Sequence, residues 1–428
     1  MKLQITPGAV SGSVQAPPSK SLSHRALVLG ALAKGETVIT NFLDSDDTRY
    51  TIDVLESLGV NIERDGKTVK IQGCDGRFNI QPGKETVYVG NSGSTVRMAA
   101  PLAALTHGRM IFEGEAGLSR RPLSDLLYSL KVLGIESRSL SNDGYPPVEI
   151  SGGKLRGGTV VVSGEISSQH TSGLLMIAPY AERDVRIKIG GKLLSCPYVD
   201  ITIDAMRAFG AEVGHFNHEQ FTVTSGKTYH GIDYQIEGDY SSAAFFFAMG
   251  AIGRKPVAVS GLNPKSVQGD RNFLNIITKM GARVDIDHSD ITVSREKPLR
   301  GIKLDMSNYP DIVQPLAVVA AFAGGQTHLY NIGHLIYKET DRINNTAREL
   351  RKMGVHIEVT NNTMTITGGS PKGAKVVSHN DHRMAMCLAT AAIFSQGETI
   401  LSGADAISKS YPDFFRDFAA AGARFGEV

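Results

Sequence analysis

Leu58-Gly59-Val60, Leu133-Gly134-Ile135, Phe209-Gly210-Ala211, Met280-Gly281-Ala282, Met353-Gly354-Val355 and Ala421-Gly422-Ala423 are one phrase written six times. The glycines lie 75, 76, 71, 73 and 68 residues apart. Each stands where an apolar helical run stops, just past a helix end, where a positive φ closes the last turn and glycine adopts it without strain. An alternating run follows in most cases, as in Thr68-Val69-Lys70-Ile71, Phe221-Thr222-Val223, Ile291-Thr292-Val293 and Met364-Thr365-Ile366, and reads as a half-buried strand. A second series, Gly35, Gly108, Gly253, Gly325 and Gly397, with Glu182-Arg183 in the third unit, marks the turn after an earlier helix. Working outward, the chain is six α/β units, too long for solenoid turns. They divide into three plus three, with crossings expected at Pro17-Pro18 and near Tyr234–Gly238. Two mobile lobes with a cleft between them are the expected result.

Composition narrows the function. The 428 residues carry 45 Lys+Arg against 43 Asp+Glu, so neither nucleic acid nor an anionic membrane is the expected partner. Hydrophobic residues at 41% and charged residues at 21% exclude disordered, collagen-like and coiled-coil chains. Cys74, Cys196 and Cys387 are too far apart for a disulfide framework or a zinc site, which fits a reducing compartment, the cytoplasm. The apolar stretches Ala243–Ile252 and Pro315–Ala323 read as buried helices, and the first residues show no export or import signal.

The first helix of each unit opens on small, hydroxylated or charged residues: Ser19-Lys20-Ser21, Asn91-Ser92-Gly93-Ser94-Thr95, Ser167-Ser168-Gln169, Gly238-Asp239-Tyr240-Ser241-Ser242, Tyr309-Pro310-Asp311 and Asn380-Asp381-His382-Arg383. Two readings are open. One is N-capping; the other is anion binding at a helix start, with Gly93 allowing close approach to the backbone. Lys20, Arg25, Arg97, Arg121, Lys338, Arg342, Arg383 and Lys409 lie in or near these openings and their neighbouring loops. Converging, they would grip more than one phosphate or carboxylate; singly, each is an ordinary solvated charge. Asp311 is a general base or a cap, and Glu339 a proton relay or an ion-pair partner. His382 titrates near neutrality or caps, and capping is favoured. No Walker loop, Rossmann glycine fingerprint, His-Glu-x-x-His helix or Gly-x-Ser-x-Gly elbow is present. The residues thus describe a two-lobed α/β enzyme for small polyanions, with no metal or organic cofactor indicated.

The same segments resemble the 5-enolpyruvylshikimate-3-phosphate synthases, enolpyruvyl transferases that are the target of glyphosate. The resemblance runs nearly the full length, through Pro18-Ser19-Lys20-Ser21 to Arg25, Leu43-Asp44-Ser45-Asp46-Asp47, Gly90-Asn91-Ser92-Gly93, Arg121-Pro122, Ser167-Ser168-Gln169, Pro197-Tyr198-Val199-Asp200, Glu237-Gly238-Asp239, Pro310-Asp311, Lys338-Glu339-Thr340-Asp341-Arg342, Asn380-Asp381-His382-Arg383-Met384-Ala385-Met386, and Lys409 to Asp413. It implies a two-lobed inside-out α/β barrel of six βαβαββ repeats, three per lobe. One lobe would be residues 1–17 with 238–428 and the other 18–237, with hinge crossings near 17–19 and 236–238. It implies transfer of the enolpyruvyl group of phosphoenolpyruvate to the 5-hydroxyl of shikimate 3-phosphate, on the way to chorismate and the aromatic amino acids, by a cytoplasmic monomer without cofactor or metal.

The resemblance also implies roles. Lys20, Ser21, Arg25, Ser167, Ser168, Gln169, Ser195, Tyr198, Asp311, His334 and Lys338 would hold shikimate 3-phosphate. Lys20, Asn91, Gly93, Arg121, Gln169, Arg342, His382, Arg383 and Lys409 would hold phosphoenolpyruvate. Asp311 would take the 5-hydroxyl proton, while Glu339 and Lys20 would manage the proton at the methylene. His334 departs from the asparagine that some relatives carry, and a methyl added at Gly93 would crowd glyphosate. The sister family acting on UDP-N-acetylglucosamine has Lys-Asn where Lys20-Ser21 stands, and usually a cysteine in the loop that here runs Glu115–Arg121 without one.

Overall fold

A computed structural model describes residues 1–428. The chain forms two compact units: an N-terminal unit, Pro18–Ile236, and a C-terminal unit, Met1–Pro17 with Glu237–Val428. Each of the six repeats supplies two helices: α1 (Lys20–Leu32) and α2 (Asp46–Ser57), α3 (Gly93–Met98) and α4 (Ser124–Val132), α5 (Ser168–Ile177) and α6 (Cys196–Ala208), α7 (Tyr240–Ile252) and α8 (Asn272–Met280), α9 (Val313–Ala321) and α10 (Arg342–Lys352), α11 (His382–Ile393) and α12 (Phe414–Ala420).

There are six four-stranded sheets, all of one design. In the third repeat Gly158–Ser163 runs parallel to Val185–Gly190, which pairs antiparallel with Gln220–Val223, itself antiparallel to Val213–Phe216. A parallel pair needs a crossover, and in the second, third, fifth and sixth sheets α3, α5, α9 and α11 provide it. Three strands arrive from elsewhere in the chain. Asp233–Gln235 completes the first sheet beside Lys34–Thr40, and Gly12–Gln15 completes the fourth beside Val257–Ser260. Lys2–Thr6 sits in the sixth sheet between Thr399–Ser402 and Arg424–Glu427.

The odd-numbered helices lie inside. Every residue of α7, α9 and α11 is buried, and these three pack against one another. Such helices must be apolar on all sides, which explains Ala243-Ala244-Phe245-Phe246-Phe247-Ala248-Met249 in α7. The sheets stand outside with one face to the helices, as the alternating burial along Val185–Gly190 shows. Each unit is therefore an inside-out α/β barrel with its own core.

All six helix-ending glycines have positive φ, from +80° to +116°. In the second series Gly35, Gly325 and Gly397 are left-handed as well, but Gly108 and Gly253 are not; Gly253 ends α7 at φ −68°. A further series escaped the sequence reading. A Cβ at Gly157, Gly231, Gly301 or Gly373 would lie 2.1 Å from the carbonyl oxygen of Arg183, Glu36, Gln326 or Glu398 respectively. At each site the incoming parallel strand starts against its neighbour's backbone.

Gly301→Ala should therefore cost about 1–3 kcal/mol in urea unfolding, whereas Gly214→Ala, with open space at its Cβ, should change stability by less than about 0.5 kcal/mol. Equal effects would refute the close-approach explanation. Inside the N-terminal unit, burial first and then Arg97 lower the His170 pKa to about 3. The unfolded chain takes up this proton near pH 6.5 and the folded chain refuses it, so stability should fall as pH drops from 6.5 toward 3, by about 1 kcal/mol per pH unit. Because burial also lowers the pKa of His24 and His334, the urea midpoints at pH 7 and pH 5 should draw closer in His170→Gln without coinciding, and an undiminished slope would reject this cause.

Candidate active site

In the C-terminal unit the central helices pack side by side, and their openings bring the charges together. Asp311 lies in the short turn Pro310–Ile312 ahead of α9, Arg342 is the first residue of α10, and Arg383 is the second of α11. Arg342, with a side chain 1% exposed, is held by three carboxylates. Its Nη1 donates to Asp311 Oδ1 at 2.9 Å, its Nη2 to Glu339 Oε2 at 2.6 Å, and its Nε to Asp381 Oδ2 at 2.8 Å. Arg383 Nη2 meets the other Asp311 oxygen at 3.0 Å, and its Nη1 donates to the Asp311 carbonyl at 3.1 Å. Burial pushes the Asp311 carboxyl up, but Arg383, Lys338 and Arg342 together outweigh it and hold the group well below the usual carboxylate range. Burial opposes the charge on Arg342, and Asp381, Glu339 and Asp311 more than restore it.

Several open readings close here. Asp311 is no cap, because its oxygens face two guanidiniums. Glu339 is an ion-pair partner in this state, which leaves a relay role compatible. His382 does not cap α11: Asp381 does, accepting from the Arg383 and Met384 backbone N–H groups at 2.8 and 3.4 Å. His382 is instead the buried first residue of that helix. His334 is buried, and neither ring nitrogen has a hydrogen-bond partner. Burial, then Lys338, lower its pKa to about 3, against a pull from Asp311; a neutral imidazole therefore stands beside Lys338 and Asp311. Lys409 reaches the group through Asn380, whose carbonyl accepts from its Nζ at 2.8 Å.

The N-terminal unit builds its set the same way but with fewer carboxylates. Ser19, Ser92 and Ser167 cap α1, α3 and α5, so capping holds for these openings. Lys20 Nζ pairs with Asp47 Oδ2 at 2.8 Å, and the Asp47 carbonyl accepts from Thr95 Oγ1 at 3.1 Å, tying α1, α2 and α3 together. Gln169 donates to Ser94 Oγ at 3.0 Å and accepts from Arg97 Nη1 at 3.3 Å. Asn91 and Gly93 sit at the start of α3, where a Cβ on Gly93 would lie 2.2 Å from Arg121 Nη1. An added methyl therefore meets Arg121 before any ligand. Ser168 is the buried first residue of α5, and Ser21 is half-buried in α1.

Arg25 has several protein partners of its own. It is 1% exposed and donates to Thr202 Oγ1 at 2.8 Å and to the Ser21 and Tyr198 carbonyls at 2.7 and 2.8 Å. It clamps α1 to α6, with one N–H left on each terminal nitrogen, and burial brings its pKa down to about 10. Ser195 precedes α6 at φ +58°, ψ +35°, a left-handed conformation uncommon for serine. Asp47 and Asp381 were missed as site residues. Their signal was present, as acids opening α2 and capping α11, but a cap and an ion-pair partner look alike in sequence.

Beyond these sets, no helix is long and apolar enough to cross a membrane. A family model described as EPSP synthase (3-phosphoshikimate 1-carboxyvinyltransferase) matches residues 5–418. The 3-phosphoshikimate 1-carboxyvinyltransferase of Methanoculleus marisnigri is 43% identical over 408 residues, covering 95% of this chain and 96% of the relative. That of Histophilus somni is 41% identical over 428 residues, covering 97% and 98%. A solved EPSP synthase from Acinetobacter baumannii superposes with a TM-score of 0.83 at 28% identity over 100% of both chains. With repeat, fold and sequence in agreement over nearly every residue, the chain belongs to the EPSP synthase (3-phosphoshikimate 1-carboxyvinyltransferase) family.

Proposed function

We propose that Asp311, Glu339 and Lys20 carry the family's reaction, transfer of the enolpyruvyl group from phosphoenolpyruvate to the 5-hydroxyl of shikimate 3-phosphate. The donor methylene takes a proton, giving an oxocarbenium-like carbon that the 5-oxygen attacks as its own proton leaves. The resulting tetrahedral ketal then loses a methyl proton and inorganic phosphate, restoring the enol ether. A base for the hydroxyl, an acid that can reverse its role and a cationic cradle for phosphate are the minimum set. One observation carries the assignment: Asp311 and Glu339 rest on the two terminal nitrogens of a single buried guanidinium, Arg342.

Charge counting suggests how they work. Asp311, Glu339 and Asp381 balance Arg342, Arg383 and Lys338, three against three. A polyanionic donor gripped by Arg342 and Arg383 competes with Asp311 for them. Asp311 becomes the stronger base, and excess negative charge favours a proton on Glu339. Lys20, Asn91, Gly93, Arg121, Gln169, Arg342, His382, Arg383 and Lys409 bind the donor in this reading. Lys20, Ser21, Arg25, Ser167, Ser168, Gln169, Ser195, Tyr198, Asp311, His334 and Lys338 bind the acceptor. The two remaining Arg25 N–H groups support the acceptor set, while His334 serves as a neutral hydrogen-bonding group. One chain carries both sets, which supports a monomer, working in the cytoplasm.

Phosphate release with shikimate 3-phosphate and phosphoenolpyruvate tests the reading. Release is expected, and none, or release only with UDP-N-acetylglucosamine as acceptor, overturns it. Asp311→Asn should lower kcat about 10²–10⁴-fold; a near-normal kcat would remove Asp311 as the base. Gly93→Ala should displace the Arg121 guanidinium and raise the KM for phosphoenolpyruvate on the order of tenfold, the loss of about one charge-assisted hydrogen bond, with the shikimate 3-phosphate KM unchanged. Parallel rises in both constants would argue against a donor contact.

A further inference from the structure

Two consecutive non-glycine residues, His379 at φ +53° and Asn380 at φ +56°, take the left-handed conformation immediately before Asp381. Asparagine and histidine both enter this region more readily than other side chains, and here the pair is also held from outside. The support comes from α10. Glu349, fully buried, accepts from His379 Nε2 at 2.8 Å, from the Val377 backbone N–H at 3.0 Å, and from Lys352 Nζ at 2.9 and 2.7 Å on its two oxygens.

The spacing on α10 is informative. Glu349 lies seven residues after Arg342, two helical turns along one face. That face grips the segment 377–381 twice, through Arg342 to Asp381 and through Glu349 to Val377 and His379. The left-handed pair between these grips determines where the chain enters α11. It thereby sets Asp381, which caps the helix, and Arg383, which follows. It also presents the Asn380 carbonyl that holds Lys409. Burial raises the Glu349 carboxyl, and the bonds from Lys352, His379 and Val377 bring it below the ordinary range, so it stays ionised for this task.

We infer that Glu349 and His379 are positioning residues for the phosphoenolpyruvate-binding cations: their contact locks the left-handed turn that aims Arg383 and Lys409. The inference rests on the proposed donor role of Arg383 and Lys409. Neither Glu349 nor His379 touches Asp311 or Glu339 among their polar partners, so the effect should appear in donor binding rather than in chemistry.

The test is steady-state kinetics on the full-length enzyme with the two substrates varied separately. His379→Ala removes a side chain still 22% exposed and should leave the fold intact. Its KM for phosphoenolpyruvate should rise roughly fivefold to tenfold, with kcat and the shikimate 3-phosphate KM each within about twofold of the parent. Glu349→Gln should move in the same direction and further; if it does not fold, His379→Ala decides alone. An unchanged donor KM in His379→Ala, or both KM values rising together, overturns the inference. Arg383→Lys, measured alongside, separates the two claims. If it raises the donor KM while His379→Ala does not, only the positioning role fails. If neither variant moves it, the donor role of Arg383 fails and the positioning role with it.

Discussion

The buried guanidinium of Arg342 is the point on which the C-terminal set depends. Taking such a cation out of water is costly, and a buried ion pair lacking one partner is strongly destabilising. Here the guanidinium meets three carboxylates, and each arrives from a different element: Asp311 from the turn before α9, Glu339 from the loop before α10 and Asp381 from the cap of α11. The charge that fixes the geometry of the helix openings is the same charge that orients the proposed base and acid. Rigidity and chemistry therefore have one source, and the cluster stays neutral only with all its members present.

The N-terminal unit shows what the same scaffold does without that constraint. Its three central helices are capped by Ser19, Ser92 and Ser167, whereas α7 and α11 of the C-terminal unit are capped by Asp239 and Asp381. A serine cap satisfies backbone N–H groups and brings no charge. An aspartate has a second oxygen, and in Asp381 that oxygen is the one Arg342 holds. The N-terminal set is thus hydroxyl-rich and cationic, with Lys20 paired to Asp47 beside Arg25, Arg97 and Arg121, whereas the C-terminal set opposes carboxylates and guanidiniums directly.

Much of this was legible in sequence for a physical reason. Helix ends and starts are local events, and Gly354 or Ser167 can be read from a few neighbours. The roles of Arg25 and Asp381 were not legible because they depend on partners far along the chain, Thr202 in one case and Arg342 in the other. Gly301 was equally opaque. Its φ is ordinary and nothing near it in sequence marks the carbonyl of Gln326 that excludes a side chain. The strand Lys2–Thr6 alternates as a strand should, yet its registers, Leu3 opposite Leu401 and Leu3 opposite Glu427, carry no local signature.

That long-range closure also bears on the site. Residues 18–236 supply every strand of their own three sheets, including the late strand Asp233–Gln235 that returns to the first. Residues 237–428 do not. They lack one strand of the fourth sheet and one of the sixth, and residues 1–17 provide both, crossing between them with Gly8 N–H donating to Ile393 and Ser11 N–H to Ala421. The segment then ends at Pro17, whose carbonyl accepts from the Asp239 N–H at 2.8 Å, so both chain crossings leave the C-terminal unit side by side. Two residues later Ser19 caps α1 and Lys20 begins it. The segment that completes the fourth and sixth sheets of the C-terminal unit is therefore continuous in sequence with the one that opens α1 at Lys20, so a single short stretch of chain both closes one unit and begins the other.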